Sequence, residues 1–313
     1  MLFGDSGLNG IRASSRQQWR VTRGEDIGSN PFCPNIISHT KAEELKVATT
    51  WLIQTNFNST EAYAIGEEVV RQGMVFRGVG YNPGNDICSR FLAPDENECT
   101  VCYGSIDFVL YIQRKSKLIP GAWCNFQNMK CSTYYTYFGD MLLNRYYNMM
   151  PMGELLSRWD REYPHGAFVR PDSGAKPLTG QTFESTEKHK IQSFSDTIGA
   201  DTLVVVAPIK SISREYRFVV CDRKLVAVSM YLPEERSIKF DNLPLSLLRL
   251  ANKICSNEWQ PDFCYTVDIA IHYDLPYLLE INGFSCAGFY KCNIRDIVKN
   301  SSNVALMEWE SYQ

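Results

Sequence analysis

Residues 267–282, VDIAIHYDLPYLLEIN, place two acids where they can act together. Two strand-like runs flank a turn centred near Asp274, with Asp268 and Glu280 six residues to either side. A symmetric hairpin sets the two opposite each other, with β-carbons about 4.5–5.5 Å apart. Alternation within the second strand puts Leu278, Glu280 and Asn282 on one face and Tyr277, Leu279 and Ile281 on the other. Two opposed, half-buried carboxylates repel, which raises one pKa or requires a cation between them. With the Asn282 amide oxygen beside them the set is all-oxygen and anionic, which suits Mg²⁺ or Mn²⁺ rather than zinc. These residues alone are equally compatible with two acids on a solvated hairpin face.

A second hairpin is expected over 215–231, EYRFVVCDRKLVAVSMY, turning at Asp222 and Arg223. Arg217 sits between the apolar Tyr216 and Phe218. On a surface it stacks and bridges; facing the cleft of the acids it is a bidentate phosphate clamp. Upstream, FVRPDSGAKPLTG (168–180) leads a strand into a loop with Gly174, Lys176 and Gly180. Such a loop either lays backbone N–H groups and one ammonium over phosphates or is a surface turn. It is not a Walker loop, since G-x-x-x-x-G-K-[ST] is absent.

The elements that must hold these groups fall into two regions. Residues 1–40 show no period and read as an irregular lead-in. Helical spacing covers 41–55 and 60–72, and MVFRGV (74–79) and IDFVLYI (106–112) read as strands, the alternation of a small α/β domain. The second region begins near Tyr134. It has a helix over 152–162 entered through Pro151, a strand at 167–171 and a polar helix near 184–194. Strand-like segments follow at 203–209, 215–221, 224–232, 263–271 and 276–281, with an amphipathic helix over 243–255. This pattern is α+β with a largely antiparallel sheet.

Composition narrows the classes. In 313 residues, 32 Lys+Arg against 35 Asp+Glu leave a net charge of −3, which argues against a strongly basic nucleic-acid face. With 44% apolar and 21% charged residues the chain is a folding one. Its longest apolar run, Leu203 to Ile209, is far short of the roughly 20 residues that span a bilayer, so no membrane partner is expected. The start, MLFGDSG, lacks the pattern of a secretory leader, and 11 scattered cysteines read as reduced cytosolic thiols. Cys99 and Cys102 have C-x-x-C spacing without the second pair a zinc site needs. His39, His165, His189 and His272 are dispersed and read as structural or exposed, and GFSCAG (283–288) departs from the nucleophile elbow by one residue.

In chain order, a strand ending in Arg170, a small-residue loop, an apolar strand, Glu215-Tyr216-Arg217 and Asp268…Glu280-Ile281-Asn282 together resemble an ATP-grasp domain. From about Gly104 the chain is similar to a little-characterised ATP-grasp family frequent in bacteriophages and bacteria. The resemblance implies an α+β ATP-grasp fold, two α+β subdomains gripping ATP, over 136–313. A small α/β pre-ATP-grasp domain at 61–135 and an irregular or helical lead-in at 1–60 precede it. It also implies that Asp268, Glu280 and Asn282 hold Mg²⁺ or Mn²⁺ on the ATP phosphates, and that Arg217 meets the phosphates or an acyl phosphate with Glu215 orienting it. The strand at 205–209, including Val206, Ala207 and Ile209, becomes the hinge whose backbone reads adenine. Arg170 and Arg145 stand where most members of the superfamily carry lysine, with Lys176 or Lys210 supplying the ammonium.

The implied activity is ATP-dependent ligation of a carboxylate to an amine, or less often a thiol, through an acyl phosphate, with a peptide or protein as candidate substrate. The implied setting is the cytoplasm, that of a host if the gene is carried by a phage. Two rivals remain: a non-catalytic relic that binds nucleotide or a partner, and phosphoryl transfer to a metabolite or a nucleic-acid end. The aromatic run YYTYF (134–138) is a base-stacking surface on the last reading and a buried element otherwise.

Overall fold

The computed structural model describes residues 48–85, 87 and 98–313; the lead-in expected over 1–40 lies outside them. A parallel sheet comes first, built from β1 (Thr50–Gln54), β2 (Val75–Val79), β3 (Thr100–Tyr103) and β4 (Pro120–Gly121) in the order β2-β1-β3-β4. A central parallel strand is covered on both faces and so reads as an apolar run. In TWLIQ, Trp51 and Ile53 face a core shared with α1 (Ser59–Arg71), while Leu52 faces another shared with α2 (Ile106–Lys115). The helix expected over 41–55 therefore gives way, within its described part, to β1. The segment 1–60, read as an irregular or helical lead-in, contains β1, one of the sheet's two inner strands.

The strand expected at 106–112 is instead α2. Ser105 caps it by accepting a hydrogen bond from the Phe108 amide, and Phe108, Val109 and Ile112 fall on one buried face. Asp107 in its first turn and Arg114 and Lys115 in its last match the helix dipole. The helix over 60–72 and the strand over 74–79 form as expected.

A second sheet, antiparallel and ordered β5-β8-β6-β7, comprises β5 (Asn148–Pro151), β6 (Ala167–Pro171), β7 (Gln181–Phe183) and β8 (Leu203–Ala207). Its core is closed by α4 (Met152–Glu162) and α5 (Lys188–Ile198) through Leu155, Trp159, Ile191 and Phe194. Before it, α3 (Cys131–Phe138) carries YYTYF as a helix with Tyr134, Tyr135 and Phe138 buried, so that run is mainly core.

The third sheet is antiparallel in the order β11-β10-β9-β12-β13, from β9 (Arg214–Cys221), β10 (Lys224–Leu232), β11 (Arg236–Ser237), β12 (Cys264–His272) and β13 (Leu275–Gly283). Phe218, Val220, Val267 and Ile269 on one face pack with α3 and α6 (Leu245–Cys255). Val219, Cys221 and Cys264 on the other pack with α1 and α7 (Ile294–Ser311). Both hairpins turn through two residues at positive φ, Asp222 and Arg223 (45° and 61°) and Tyr273 and Asp274 (48° and 60°), the conformation that two-residue tips of right-twisted strands demand. Among the described residues no helix is long and apolar enough to cross a membrane.

Candidate functional site

The third sheet sets the acids by register. Asp268 on β12 lies opposite Arg217 on β9 and Glu280 on β13. The tip pairs His272 with Leu275, which alone would bring Leu279 against Asp268; one extra residue between Leu278 and Glu280 moves the glutamate into that place. The same irregularity overturns one expectation. Leu278 does not share a face with Glu280 and Asn282 but packs in the core with Ile281, while Leu279 lines the cleft.

Every charge in this group is answered. Asp268 is fully buried and receives two hydrogen bonds from Arg217, Nε to Oδ1 at 2.7 Å and Nη2 to Oδ2 at 2.6 Å. Arg217 Nη1 donates to the Gly288 carbonyl at 2.7 Å, and its guanidinium carbon lies 4.7 Å from the Tyr290 ring centre and 5.7 Å from that of Tyr231. Glu280 takes Arg170 Nη1 at 2.9 Å on Oε2 and Lys176 Nζ at 2.8 Å on Oε1. Lys176 also donates to Asn282 Oδ1, and Asn282 Nδ2 reaches Asp268 Oδ2 and Glu280 Oε1, both at 3.1 Å.

The two acids titrate in opposite directions. Burial pushes the Asp268 carboxyl up, opposed by the Arg217 charge. Burial also pushes Glu280 up, but Lys176 and Arg170 outweigh it and hold this carboxyl well below the usual range. Glu215, on the same strand face as Arg217, is raised by burial, with a hydrogen bond from the Tyr231 hydroxyl acting against the rise. The direct contacts of Arg217 are with Asp268, the Gly288 carbonyl and the two tyrosine rings, while Glu215 feels its charge without a hydrogen bond to it.

Apart from Asn282, which is buried behind Glu280 and Asp268, these side chains line a cleft of about 630 Å³, together with Phe168, Ile212 and Leu279 on its apolar side. The loop after β6 reaches it with Lys176 at φ 46°. Gly174 is required there, since a Cβ would run into the Phe126 carbonyl oxygen. Arg170 is 5% exposed, and its Nη2 is buried with no hydrogen-bond partner.

The remaining expected site residues lie elsewhere. Arg145, Val206 and Ala207 line a second cavity of about 530 Å³ with Tyr146, Tyr147 and His165. Val206 pairs with Asn148 on one side and Val169 on the other, so its backbone is committed to the ladder. Ile209 and Lys210 follow the strand and line neither cavity; Lys210 Nζ donates to Asn144 Oδ1 at 2.9 Å, and burial pushes its pKa down. Tyr231, Tyr290 and the Gly288 carbonyl were not singled out from sequence. Tyr231 is itself an extra residue between Met230 and Leu232 in the β9–β10 pairing, which strict alternation does not reveal.

Among the described residues no three His, Cys, Asp or Glu side chains converge as metal ligands. Cys99 and Cys102 face different cores, so the C-x-x-C pair does not close on one ion. The oxygens of Asp268, Glu280 and Asn282 fit a hard divalent cation by donor type. The Lys176 ammonium already bonds two of them, Glu280 Oε1 and Asn282 Oδ1, which marks this point as one that accepts positive charge.

Residues 143–300 match the family model described as ATP-grasp domain, R-two-K clade family 2. No curated protein matches the chain. Among solved structures, the D-cycloserine synthetase DcsG is 12% identical with a TM-score of 0.55, aligned over 82% of this chain and 100% of its own. The D-alanine–D-alanine ligase of Bacillus anthracis complexed with ATP is 13% identical at TM-score 0.54, over 85% and 100%. The ATP-grasp ligase PsnB complexed with a minimal precursor is 10% identical at 0.51, over 82% and 99%. At such identities the likeness is one of fold, an α+β ATP-grasp fold.

Proposed function

Because the chain belongs to family 2 of the R-two-K clade of ATP-grasp domains, we propose that it is an Mg-ATP-dependent ligase. It joins a carboxylate to an amine through an acyl phosphate, with a peptide or protein as one substrate. Three cations and three acids meeting in one cleft suit a polyphosphate carried with a divalent ion, since each sign finds its opposite. The observation that carries the reading is Arg170 Nη2, a guanidinium donor in the cleft wall with no partner of its own. A buried donor left unmatched costs about 1–3 kcal/mol, and a phosphate oxygen removes that cost.

Asp268, Glu280 and Asn282 would hold Mg²⁺, which supplies positive charge to the phosphate oxygens. Arg170 and Lys176 then neutralise phosphate on one side, and Arg217, kept flat by Asp268 and the tyrosine rings, faces the charge that develops during transfer. Phe168, Ile212 and Leu279 offer the apolar walls a purine needs. A peptide substrate is supported by PsnB, solved with its precursor.

The test is nucleotide-dependent thermal shift followed by ADP release across a panel of acids, amines and peptides. Mg-ATP is expected to raise the melting temperature of the wild type and not of Glu280→Gln, and one acid–amine pair is expected to release ADP. Absence of any ATP-dependent shift in the wild type overturns the reading.

A further inference from the structure

The cysteines, scattered singly in the sequence, do not all stay apart in the fold. Cys124 follows β4, and Cys286 lies in the turn after β13, 162 residues later; their Sγ atoms are 3.2 Å apart. The approach is built into the backbone. A Cβ at Gly283, the residue after Asn282, would run into Cys124 Sγ, so only glycine at 283 admits the thiol. The two segments are also bonded to each other: the Trp123 amide donates to Ser285 Oγ at 3.0 Å, and the Ser285 amide to the Trp123 carbonyl at 3.2 Å.

Access differs between the two sulfurs. Among the nine described cysteines Cys286 alone is not buried, whereas Cys124 is 1% exposed. The hydrogen bond from Cys124, with Lys176 and Arg217 nearby, holds the Cys286 thiol below its ordinary range. The same bond and burial push Cys124 up. One residue is thus partly exposed and the other waits buried beside it, the division of labour between an attacking and a resolving thiol. No other described pair offers this. Cys221 and Cys264 oppose each other across β9 and β12 but are buried, and Cys292 bonds Ser229 Oγ.

We propose that Cys124 and Cys286 form a reversible dithiol–disulfide modification site whose oxidant is a peroxide. The Cys286 thiolate attacks one peroxide oxygen; an S–O bond forms, the O–O bond breaks, and the departing hydroxide takes a proton to leave as water. Cys286 is then a sulfenic acid and the peroxide is reduced. Cys124 sulfur attacks Cys286 sulfur, forming the S–S bond and breaking S–O; the second hydroxide leaves with the Cys124 proton as water. Two thiols and one hydrogen peroxide become one disulfide and two waters, and a dithiol reductant reverses the change. The bridge joins the segment after β4 to the turn that carries the Gly288 carbonyl and Tyr290 beside Arg217. The proposal stands whether or not the chain is a ligase.

The experiment treats the full chain with stoichiometric hydrogen peroxide, blocks remaining thiols under denaturing conditions and maps the peptides by mass spectrometry. A Cys124–Cys286 cross-linked peptide is expected, lost again on dithiothreitol. In Cys124→Ser, Cys286 is expected to stop as a sulfenic acid captured by dimedone. The untreated wild type offers a check that needs no variant: iodoacetamide is expected to label Cys286 at least tenfold faster than any other described cysteine. Equal labelling of Cys286 and the buried thiols, or oxidation of Cys286 to sulfinic acid in the wild type with no cross-linked peptide, overturns the proposal.

Discussion

The hairpins β9–β10 and β12–β13 share one sheet, turn through the same kind of two-residue tip, and each has an extra residue that lines the cleft, Tyr231 in one and Leu279 in the other. They differ in where their charged groups find partners. Arg217 is held by its ladder neighbour Asp268, by the turn after β13 and by Tyr231 of its own hairpin. Glu280 depends on Arg170 and on Lys176, the latter 104 residues earlier and on a loop. The first pairing is part of the sheet and forms whenever the sheet does. The second is made by another sheet, Arg170 from β6 and Lys176 from the loop after it, and its loop half can be exchanged while both sheets stand. A site that must pass between empty and loaded states needs both kinds.

The largest effect should separate the two pairings outright. Arg217→Met leaves the Asp268 carboxylate fully buried without its cation, and denaturant unfolding should report a loss of about 3–5 kcal/mol. Lys176→Met leaves Glu280 with Arg170 and some solvent, and should cost about 1 kcal/mol or less. Equal losses would erase the contrast.

A smaller effect concerns pH. Glu280 is held below its ordinary value of 4.5, so its contribution is present above that pH and is lost as pH falls further. Glu215 is raised above 4.5, so its folded form holds the proton more tightly and stability falls as pH rises through its shifted value. Melting temperatures of wild type minus Glu280→Gln, and of wild type minus Glu215→Gln, should therefore slope with opposite signs across the acid range. Slopes of one sign would show that a single environment governs both acids.

The smallest effect belongs to the tips. Replacing Tyr273 and Asp274 by Asn and Gly relieves positive φ at residues that disfavour it and should stabilise by about 0.5–1 kcal/mol. Tyr273 is 83% exposed and remote from the cleft lining, so the Mg-ATP thermal shift should not change. A changed shift would mean that the tip and the site are mechanically coupled.

What sequence could show follows the same division. The two hairpins and their turns were legible because ladder geometry is local and periodic; the facing of Asp268 and Glu280, expected from a symmetric turn centred on Asp274, is reached instead through a tip at 273–274 and one extra residue. The extra residues were not: Leu278 went to the core and Tyr231 to the cleft against a strict period of two. Thr50–Gln54 read as helix because an inner parallel strand has no alternation, and 106–112 read as strand because its apolar residues are consecutive while the Ser105 cap decides for a helix. The convergence of Arg170 and Lys176 on one carboxylate is a tertiary fact, written in the docking of one sheet's loop against another sheet. So is the meeting of Cys124 and Cys286.

Lys176 occupies two of the oxygens that a divalent ion would also use, so the two occupancies compete. Thermodynamic reciprocity then fixes their exchange: by whatever factor the ion loosens the loop at 172–180, closure of that loop weakens the ion. An ion arriving alone must evict an ammonium that has nowhere comparable to go. On the function proposed above, one arriving on a polyphosphate would bring the counter-charge that the ammonium needs, and the loop, the ion and the nucleotide would load as a set.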